Sequence, residues 1–151
     1  MAELYVQAIA IEREAAGRYR ELADVMAAQG DHAVAALFRM LAEHEGRHLA
    51  ALRRKARGIE LPPLESDYSW PETLPADAVE QPLTPRAALA MALAAEKRAH
   101  AFFENAGRVC ADAQTRALAR EMAAEEAEHS TLIERMMQRG PQQADWRSSS
   151  S

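Results

Sequence analysis

The stretch Ala42–His48, which reads Ala-Glu-His-Glu-Gly-Arg-His, decides the fold of this 151-residue chain. It lies in a long run of helix-favouring residues and places Glu45 and His48 three residues apart. On a helix, side chains with this spacing project from the same face, one above the other. A carboxylate and an imidazole that converge on the buried side of a helical bundle form half of a metal site. The second half requires the same pair elsewhere, and Glu126 with His129 repeats it.

The composition predicts an all-helical domain. Hydrophobic residues make up 48% of the chain and aromatic residues only 5%, while the helix formers Ala, Leu, Met, Glu and Arg are abundant. A chain of this length suits one domain with a sizeable core. The 18 basic and 23 acidic residues give a net charge of -5 and form no long blocks, so we expect neither nucleic acid nor a membrane as partner.

The cysteine content and the N-terminus indicate a cytoplasmic protein. Cys110 is the only cysteine, which excludes an intramolecular disulfide and any Cys-x-x-Cys metal site supplied by this chain alone. The first residues lack the basic and apolar regions of a signal peptide, and no stretch is apolar for long enough to span a bilayer.

Apolar residues at three- and four-residue steps predict four helices. They extend from about residue 2 to 28, from the N-cap Asp31 to about Gly58, from the N-cap Thr84 to about Cys110, and from the N-cap Asp112 to Gly140. One glutamate lies in the middle of each apolar stripe. The expected inward-facing residues are Tyr5, Ile9, Glu12, Ala16, Tyr19, Leu22 and Met26; Val34, Leu37, Phe38, Leu41, Glu45, His48 and Leu52; Leu89, Leu93, Glu96, Ala99 and Phe103; and Leu118, Met122, Glu126, His129, Ile133 and Met136.

Residues 58–84 are predicted to form a long crossover connection within a single domain, residues 1–140. Six of the seven prolines fall in or just after this segment, so it cannot be a regular helix. It is long enough either to return along the whole bundle or to reach a second subunit. Tyr68 and Trp70 are most easily buried beneath the crossover or between subunits, and we expect at least a homodimer. Residues 141–151 are polar, end in four serines and are expected to be disordered.

The chain contains one helical hairpin written twice. The first copy carries Glu12-x-x-Ala15-x-x-x-Tyr19 and Glu45-x-x-His48, and the second carries Glu96-x-x-Ala99-x-x-x-Phe103 and Glu126-x-x-His129. If the crossover returns along the bundle, a pseudo-two-fold axis brings four glutamates and two histidines to mid-bundle. Six buried ionisable groups need partners, and two divalent cations balance the charge of four carboxylates. Mixed oxygen and nitrogen ligands with open positions suit iron or manganese better than structural zinc.

These motifs resemble those of the ferritin-like superfamily and, within it, of rubrerythrin-type di-iron proteins, over residues 3 to about 139. The resemblance implies an all-α ferritin-like four-helix bundle that holds two iron ions, with manganese as the other candidate. The metal ligands that it implies are bridging Glu45 and Glu126, terminal Glu12 and Glu96, and one histidine per metal, His48 and His129. Tyr19 is the candidate catalytic residue, because its hydroxyl near the site could bond a ligand carboxylate or pass an electron; its other interpretation is simple core packing.

The sequence departs from rubrerythrin proper at two points. Rubrerythrin proper carries a rubredoxin-like domain with iron held by four cysteines, which this chain lacks, so an external electron-donor protein is implied. It also has an extra glutamate one turn after the third-helix ligand, where this chain has Ala99 and then His100. His100 is a candidate substitute at longer reach.

Three functions fit the sequence. The first is a di-iron oxidoreductase that oxidises Fe(II) while reducing hydrogen peroxide or dioxygen, in the manner of a rubrerythrin-like peroxidase or ferroxidase. The second is an iron-binding or storage protein in a larger assembly, and the third is a helical interaction module with a structural metal site. A bundle without metal is the plainest alternative. The acidic and histidine residues expected to be solvated are Glu14, Glu21, Glu43, Glu125 and Glu128, with His32 and His44.

Overall fold

Four α-helices form the fold of the computed structural model, which describes residues 2–63 and 83–139. They are α1 Ala2–Ala28, α2 His32–Lys55, α3 Pro85–Val109 and α4 Ala113–Gln138. The described residues contain no strand, and the predicted all-α bundle is confirmed. None of these helices has a stretch apolar enough to cross a membrane.

The turn between α1 and α2 is tight because a glycine allows the chain to reverse within three residues. Gly30 has φ +84°, a conformation open to glycine without steric cost. Its amide donates to the carbonyl of Ala27, and the amide of Asp31 donates to that of Met26, which is the hydrogen-bond pattern of a Schellman motif. The Asp31 carboxylate then accepts from the amide of Val34 at 3.1 Å and caps α2. The two helices are therefore antiparallel neighbours, as the sequence predicted.

The second hairpin begins and turns with caps of the same kind. Thr84 accepts from the amide of Ala87 at 3.0 Å, and Pro85 occupies the first helical position, where no amide is needed. Asp112 accepts from the amide of Thr115 at 2.8 Å and starts α4. All three N-caps predicted from the sequence are thus confirmed.

Two apolar clusters fill the bundle, one towards each end. The first combines the C-terminal half of α1, the N-terminal halves of α2 and α3, and the C-terminal half of α4; the second combines the opposite halves. Helices α1 and α4 are therefore parallel to each other, as are α2 and α3, and α3 begins at the same end of the bundle as α2. The predicted end of the bundle at which α3 begins is confirmed, while most of the connection itself lies outside the described residues. The expectations for Tyr68, Trp70 and the tail from residue 141 lie outside the described residues.

The inner faces differ in detail from the predicted stripes. Ile9, Leu93 and Met136 are only partly buried, while Ala8 and Ala92 are fully buried instead. Buried alanines let neighbouring helices approach closely, and the larger residues beside them then pack at the margin of the core. Helix α2 also ends at Lys55, three residues before the predicted end.

Candidate metal centre

A layer of four buried glutamates separates the two apolar clusters. Each helix contributes one, and none is more than 3% exposed: Glu12, Glu45, Glu96 and Glu126. Each occupies the middle of an apolar stripe, so burying the stripe also buries the carboxyl group. Within residues 2–63 and 83–139, their ion-pair partners are histidines only, with no lysine or arginine. The layer therefore carries strong negative charge in a region of low polarity unless protons or cations compensate it.

The side chains of this layer form two overlapping groups of possible metal ligands. One consists of Glu12, Glu45, His48 and Glu126, and the other of Glu45, Glu96, Glu126 and His129. Within each group, the ligand atoms lie within 4.8 Å of one another. Glu45 and Glu126 belong to both groups, and each group adds one further glutamate and one histidine. The structure thus brings together all six residues that the sequence singled out, in an arrangement that can hold two adjacent cations.

Many polar atoms of this layer lack a hydrogen-bond partner. They are both carboxylate oxygens of Glu12 and Glu45, one oxygen each of Glu96 and Glu126, and Nδ1 of His48 and His129. Nδ1 of His129 lies 2.8 Å from Oε1 of Glu45, but the two atoms do not have hydrogen-bond geometry. This arrangement is expected when the lone pairs of the nitrogen and the oxygen both point towards the position of one cation. Because unpaired buried polar atoms are costly, the donor set fits a pair of divalent metal ions.

The carboxyl groups do not titrate alike. Burial raises the pKa of Glu12, and burial together with the charge of Glu96 raises the pKa of Glu126 well above its ordinary value. Burial also acts to raise the pKa of Glu96, but its polar contacts with Glu126, His129 and Tyr19 outweigh burial and the net shift is downward. The pKa of Glu126 is thus raised and that of its neighbour Glu96 is lowered, so the two carboxyl groups of this pair are unequal.

Tyr19 connects α1 to the ligand on α3. Its hydroxyl donates a hydrogen bond to Oε1 of Glu96, and its fully buried ring stacks on Phe38 with centroids 5.9 Å apart. Burial and the charge of Glu96 raise the pKa of Tyr19 well above 10.0, so the hydroxyl stays protonated. The second hairpin has Phe103 at the equivalent position, and a phenyl ring cannot donate the same bond to Glu12. The two halves of the site therefore differ despite the repeat.

The two histidines also differ in their surroundings. Their rings stack with centroids 5.9 Å apart, but the side chain of His48 is 21% exposed and that of His129 only 4%. Burial acts to lower both pKa values, and nearby carboxylates outweigh it: Glu12 and Glu125 for His48, and Glu96, Glu12 and Glu125 for His129. Both imidazoles thus have raised pKa values in the metal-free protein.

Two residues expected to be solvated, Glu125 and His44, lie beside the histidines and are partly buried. Oε2 of Glu125 is 3.1 Å from Nε2 of His48, and the Glu125 side chain is only 29% exposed. His44 is partly buried, with its ring centroid 5.6 Å from that of His129. A signal was present in the sequence, because His44 lies four residues before His48 and Glu125 four residues before His129, on the same helix faces.

His100 does not take the position suggested for it. Its Nδ1 lies 2.8 Å from the carbonyl oxygen of Ala123, and its Nε2 lies 2.9 Å from Glu104. Both ring nitrogens are thus engaged away from the six-residue centre. His100 connects α3 to α4 and does not replace the glutamate missing at Ala99.

Comparisons with known proteins agree with this site. A family profile described as rubrerythrin matches residues 3–76, and a crystal structure of an uncharacterized conserved protein from Magnetospirillum magnetotacticum MS-1 matches with a TM-score of 0.84 and 34% identity. That match covers 92% of this chain and 94% of the other. The chain belongs to the rubrerythrin family. A search of curated proteins gave no match. The rubrerythrin profile covers the hairpin of α1 and α2, and the structural match extends over most of the chain.

Proposed function

We propose that this rubrerythrin-family protein binds two iron ions between its hairpins and oxidises Fe(II) while it reduces hydrogen peroxide or dioxygen. The observation that carries the proposal is the pair of ligand groups that share Glu45 and Glu126. Family membership supports iron, and the oxygen and nitrogen donors suit iron or manganese. The centre is neutral when four carboxylates and two neutral imidazoles surround two divalent ions.

The roles proposed for the six ligands follow from group membership. Glu45 and Glu126 would bridge the two positions, because each belongs to both groups. Glu12 with His48 would complete one position, and Glu96 with His129 the other. When bound there, two Fe(II) ions supply the two electrons that, with two protons, convert hydrogen peroxide into two water molecules.

Tyr19 is proposed to support the reaction through Glu96. Its hydroxyl hydrogen bond holds one carboxylate oxygen of Glu96 and leaves the other, which has no hydrogen-bond partner, available to a cation. The bond also helps to keep Glu96 ionised, because hydrogen bonds to a carboxylate favour its charged form. A protonated phenol this close to the centre is also a candidate donor of an electron or a proton to it.

A small cleft lies beside the exposed edge of His48, one of the six proposed ligands. It has a volume of about 40 Å³ and its lining includes His48, Lys55, Glu121 and Glu125. A space of this size holds a few atoms and is comparable to that needed by one or two water molecules. Hydrogen peroxide and dioxygen are small enough to use it, which supports a small oxidant as substrate.

Repeated turnover needs electrons that return the oxidised iron to Fe(II). Its only cysteine is Cys110, so it cannot supply the four-cysteine iron site of a rubredoxin-like domain. We propose that a separate protein donates electrons to the oxidised centre, in the cytoplasm, and that the working form is a homodimer or larger. The mass of the assembly measured by light scattering distinguishes this enzyme from an iron-storage cage, because a cage contains many subunits.

Peroxide should oxidise the iron-loaded protein rapidly. We expect the Fe(II) protein, mixed anaerobically with one equivalent of hydrogen peroxide, to develop a ferric absorption band faster than free Fe(II) does. In Tyr19→Phe the metal content should be unchanged, because Phe103 shows that the fold accepts a phenyl ring at the equivalent position, while the oxidation rate should fall. Stopped-flow absorbance measures both proteins, and dioxygen in place of peroxide identifies the preferred oxidant.

The same experiment can contradict the proposal. If the Fe(II) protein reacts with neither oxidant faster than free Fe(II) does, the metal site is structural and the helical interaction module is the better description. If Tyr19→Phe loses iron, then Tyr19 is needed to hold Glu96 in place for metal binding. The proposal that Tyr19 takes part in the reaction itself would then be wrong.

A further inference from the structure

The two hairpins of the pseudo-two-fold repeat differ at one pair of equivalent positions beside the two histidines. The proposed function assigns no role to either residue. The residue that precedes Glu126 is Glu125, and the residue that precedes Glu45 is His44. In the folded chain these two residues exchange partners: Glu125 of α4 contacts His48 of α2, and His44 of α2 lies against His129 of α4. One histidine therefore has a carboxylate beside it, and the other has an imidazole.

The ring of His48 is oriented by two sets of contacts. Its Nδ1 has no hydrogen-bond partner and lies on the side of the buried carboxylates, 3.8 Å from Oε2 of Glu12. Its Nε2 faces the opposite way, 3.1 Å from Oε2 of Glu125. A proton on Nε2 can be donated to Glu125, which leaves the lone pair of Nδ1 free for a cation. A carboxylate in this position favours the imidazole tautomer that a metal ligand needs.

His129 lacks this support. Its Nδ1 also faces the buried carboxylates, at 2.8 Å from Glu45 and 3.6 Å from Glu96. Among the residues that the structure describes, these two ligand carboxylates are its ion-pair partners, and no carboxylate from outside the six-residue centre pairs with it. The nearby ring of His44 is at 5.6 Å and brings no negative charge.

We propose that Glu125 is a positioning residue that orients His48 and makes the two metal positions unequal, with tighter binding at the position of Glu12 and His48. A carboxylate that accepts a hydrogen bond from a ligating imidazole makes the imidazole a better donor, and removal of such a partner typically costs about 10- to 100-fold in metal affinity. This inference rests on the proposed two-metal site and adds the order in which its positions fill.

Titration of the metal-free protein with Co(II) under anaerobic conditions tests the inference, with visible absorption and calorimetry as readouts. Wild type should bind two ions in two resolvable steps. Glu125→Ala should weaken the tighter step by about 10- to 100-fold, leave the weaker step nearly unchanged and alter the Co(II) absorption spectrum of the first ion. Glu125→Gln keeps a hydrogen-bond acceptor without the charge, so its affinity in the tighter step should lie between those of wild type and Glu125→Ala.

Matched variants show whether the effect belongs to this contact. Glu121 lies one turn earlier on α4, lines the same cleft and is exposed, so Glu121→Gln removes the same charge without the contact to His48 and should bind like wild type. When Glu125→Ala is added to Glu12→Gln, which already weakens the same position, its further effect should be small. Added to Glu96→Gln, it should have its full effect.

The outcomes separate this inference from the proposed function. If wild type binds two ions and Glu125→Ala changes neither step, or weakens both steps equally, the inference is wrong and the two-metal site stands. If Glu121→Gln has the same effect as Glu125→Ala, the effect is general electrostatics and the inference is again wrong. If folded wild type binds no Co(II), both the proposed function and this inference fail.

Discussion

Replacing Glu45 with alanine should remove both metal ions from the protein, and replacing Glu126 with alanine should do the same. Each of these carboxylates belongs to both ligand groups, so its loss takes one ligand from each position at once. By contrast, Glu12→Ala or Glu96→Ala removes a ligand from one position and should lower the metal content by about half. Metal analysis of the purified variants, after equal loading with Fe(II) and removal of unbound ions, measures the difference.

Exposed glutamates on the same helices provide the controls. Glu43→Ala on α2 and Glu128→Ala on α4 remove a carboxylate near each bridging residue without touching the buried layer, and should retain the wild-type metal content. Glu45→Gln and Glu126→Gln keep the side-chain volume in case alanine leaves an unstable cavity. Retention of both ions in the folded alanine and glutamine variants would contradict the bridging roles.

The second large effect concerns the stability of the metal-free protein. Replacing Glu12, Glu45, Glu96 and Glu126 together with leucine should stabilise the metal-free bundle, because buried ionisable groups are exchanged for apolar side chains between two apolar clusters. Such exchanges are neutral or add about 1–4 kcal/mol to the free energy of unfolding. At roughly 2–4 °C per kcal/mol for a chain of this size, a rise of several degrees in Tm is expected. The variant should bind no metal.

The free energy of unfolding of the metal-free wild type should depend on pH, in a direction set by the pKa shifts of the buried groups. The pKa values of Glu12 and Glu126 are raised from 4.5, and those of His48 and His129 from 6.5. Groups with raised pKa values stabilise the fold below their unfolded-state pKa values, and this contribution is lost as pH rises through their folded-state values. The lowered pKa of Glu96 acts in the opposite direction, at pH values below 4.5.

The metal-free wild type should therefore lose stability as pH rises above about 4.5, where the two carboxyl groups titrate, and further above about 6.5, where the two histidines titrate. The four-leucine variant lacks the carboxyl groups and should change less. Bound metal should reverse the trend, since metal competes with protons for the same ligands and stabilises the fold by mass action. Thermal unfolding followed by circular dichroism measures the stability of the metal-free wild type, the metal-loaded wild type and the four-leucine variant, with and without a chelator. If wild type melts at the same temperature with and without chelator and the four-leucine variant unfolds, the glutamates are structural groups with protein partners.

The fold was predictable because its signals are local. The caps Asp31, Thr84 and Asp112 and the left-handed glycine Gly30 act within a few residues of themselves, so their spacing locates the ends of the helices directly. The four mid-stripe glutamates stood out for a related reason: an acid in an apolar stripe at the same place in all four helices is not expected of a plain core. The margins of the stripes were less predictable, since whether Ile9 or Ala8 faces inward depends on how closely two helices approach.

The surroundings of the centre were harder to predict because they depend on contacts between helices. The contact of Glu125 with His48, and that of His44 with His129, require the relative height and rotation of α2 and α4, which the sequence does not state. The same holds for His100, whose partner on α4 is the backbone carbonyl of Ala123. Because every residue has a backbone carbonyl group, the sequence does not indicate which residue provides this acceptor. Tyr19 was predicted near the site, but its bond to Glu96 became visible only in the folded chain.

The metal content of the wild-type protein tests the central claim most directly. Protein purified without chelators, loaded anaerobically with Fe(II) and freed of unbound ions is analysed for metal and protein in the same sample. Two half-sites that share two bridging glutamates predict close to two iron ions per chain, and none after treatment with a chelator. A folded protein that holds no more metal than the four-leucine variant would contradict the account.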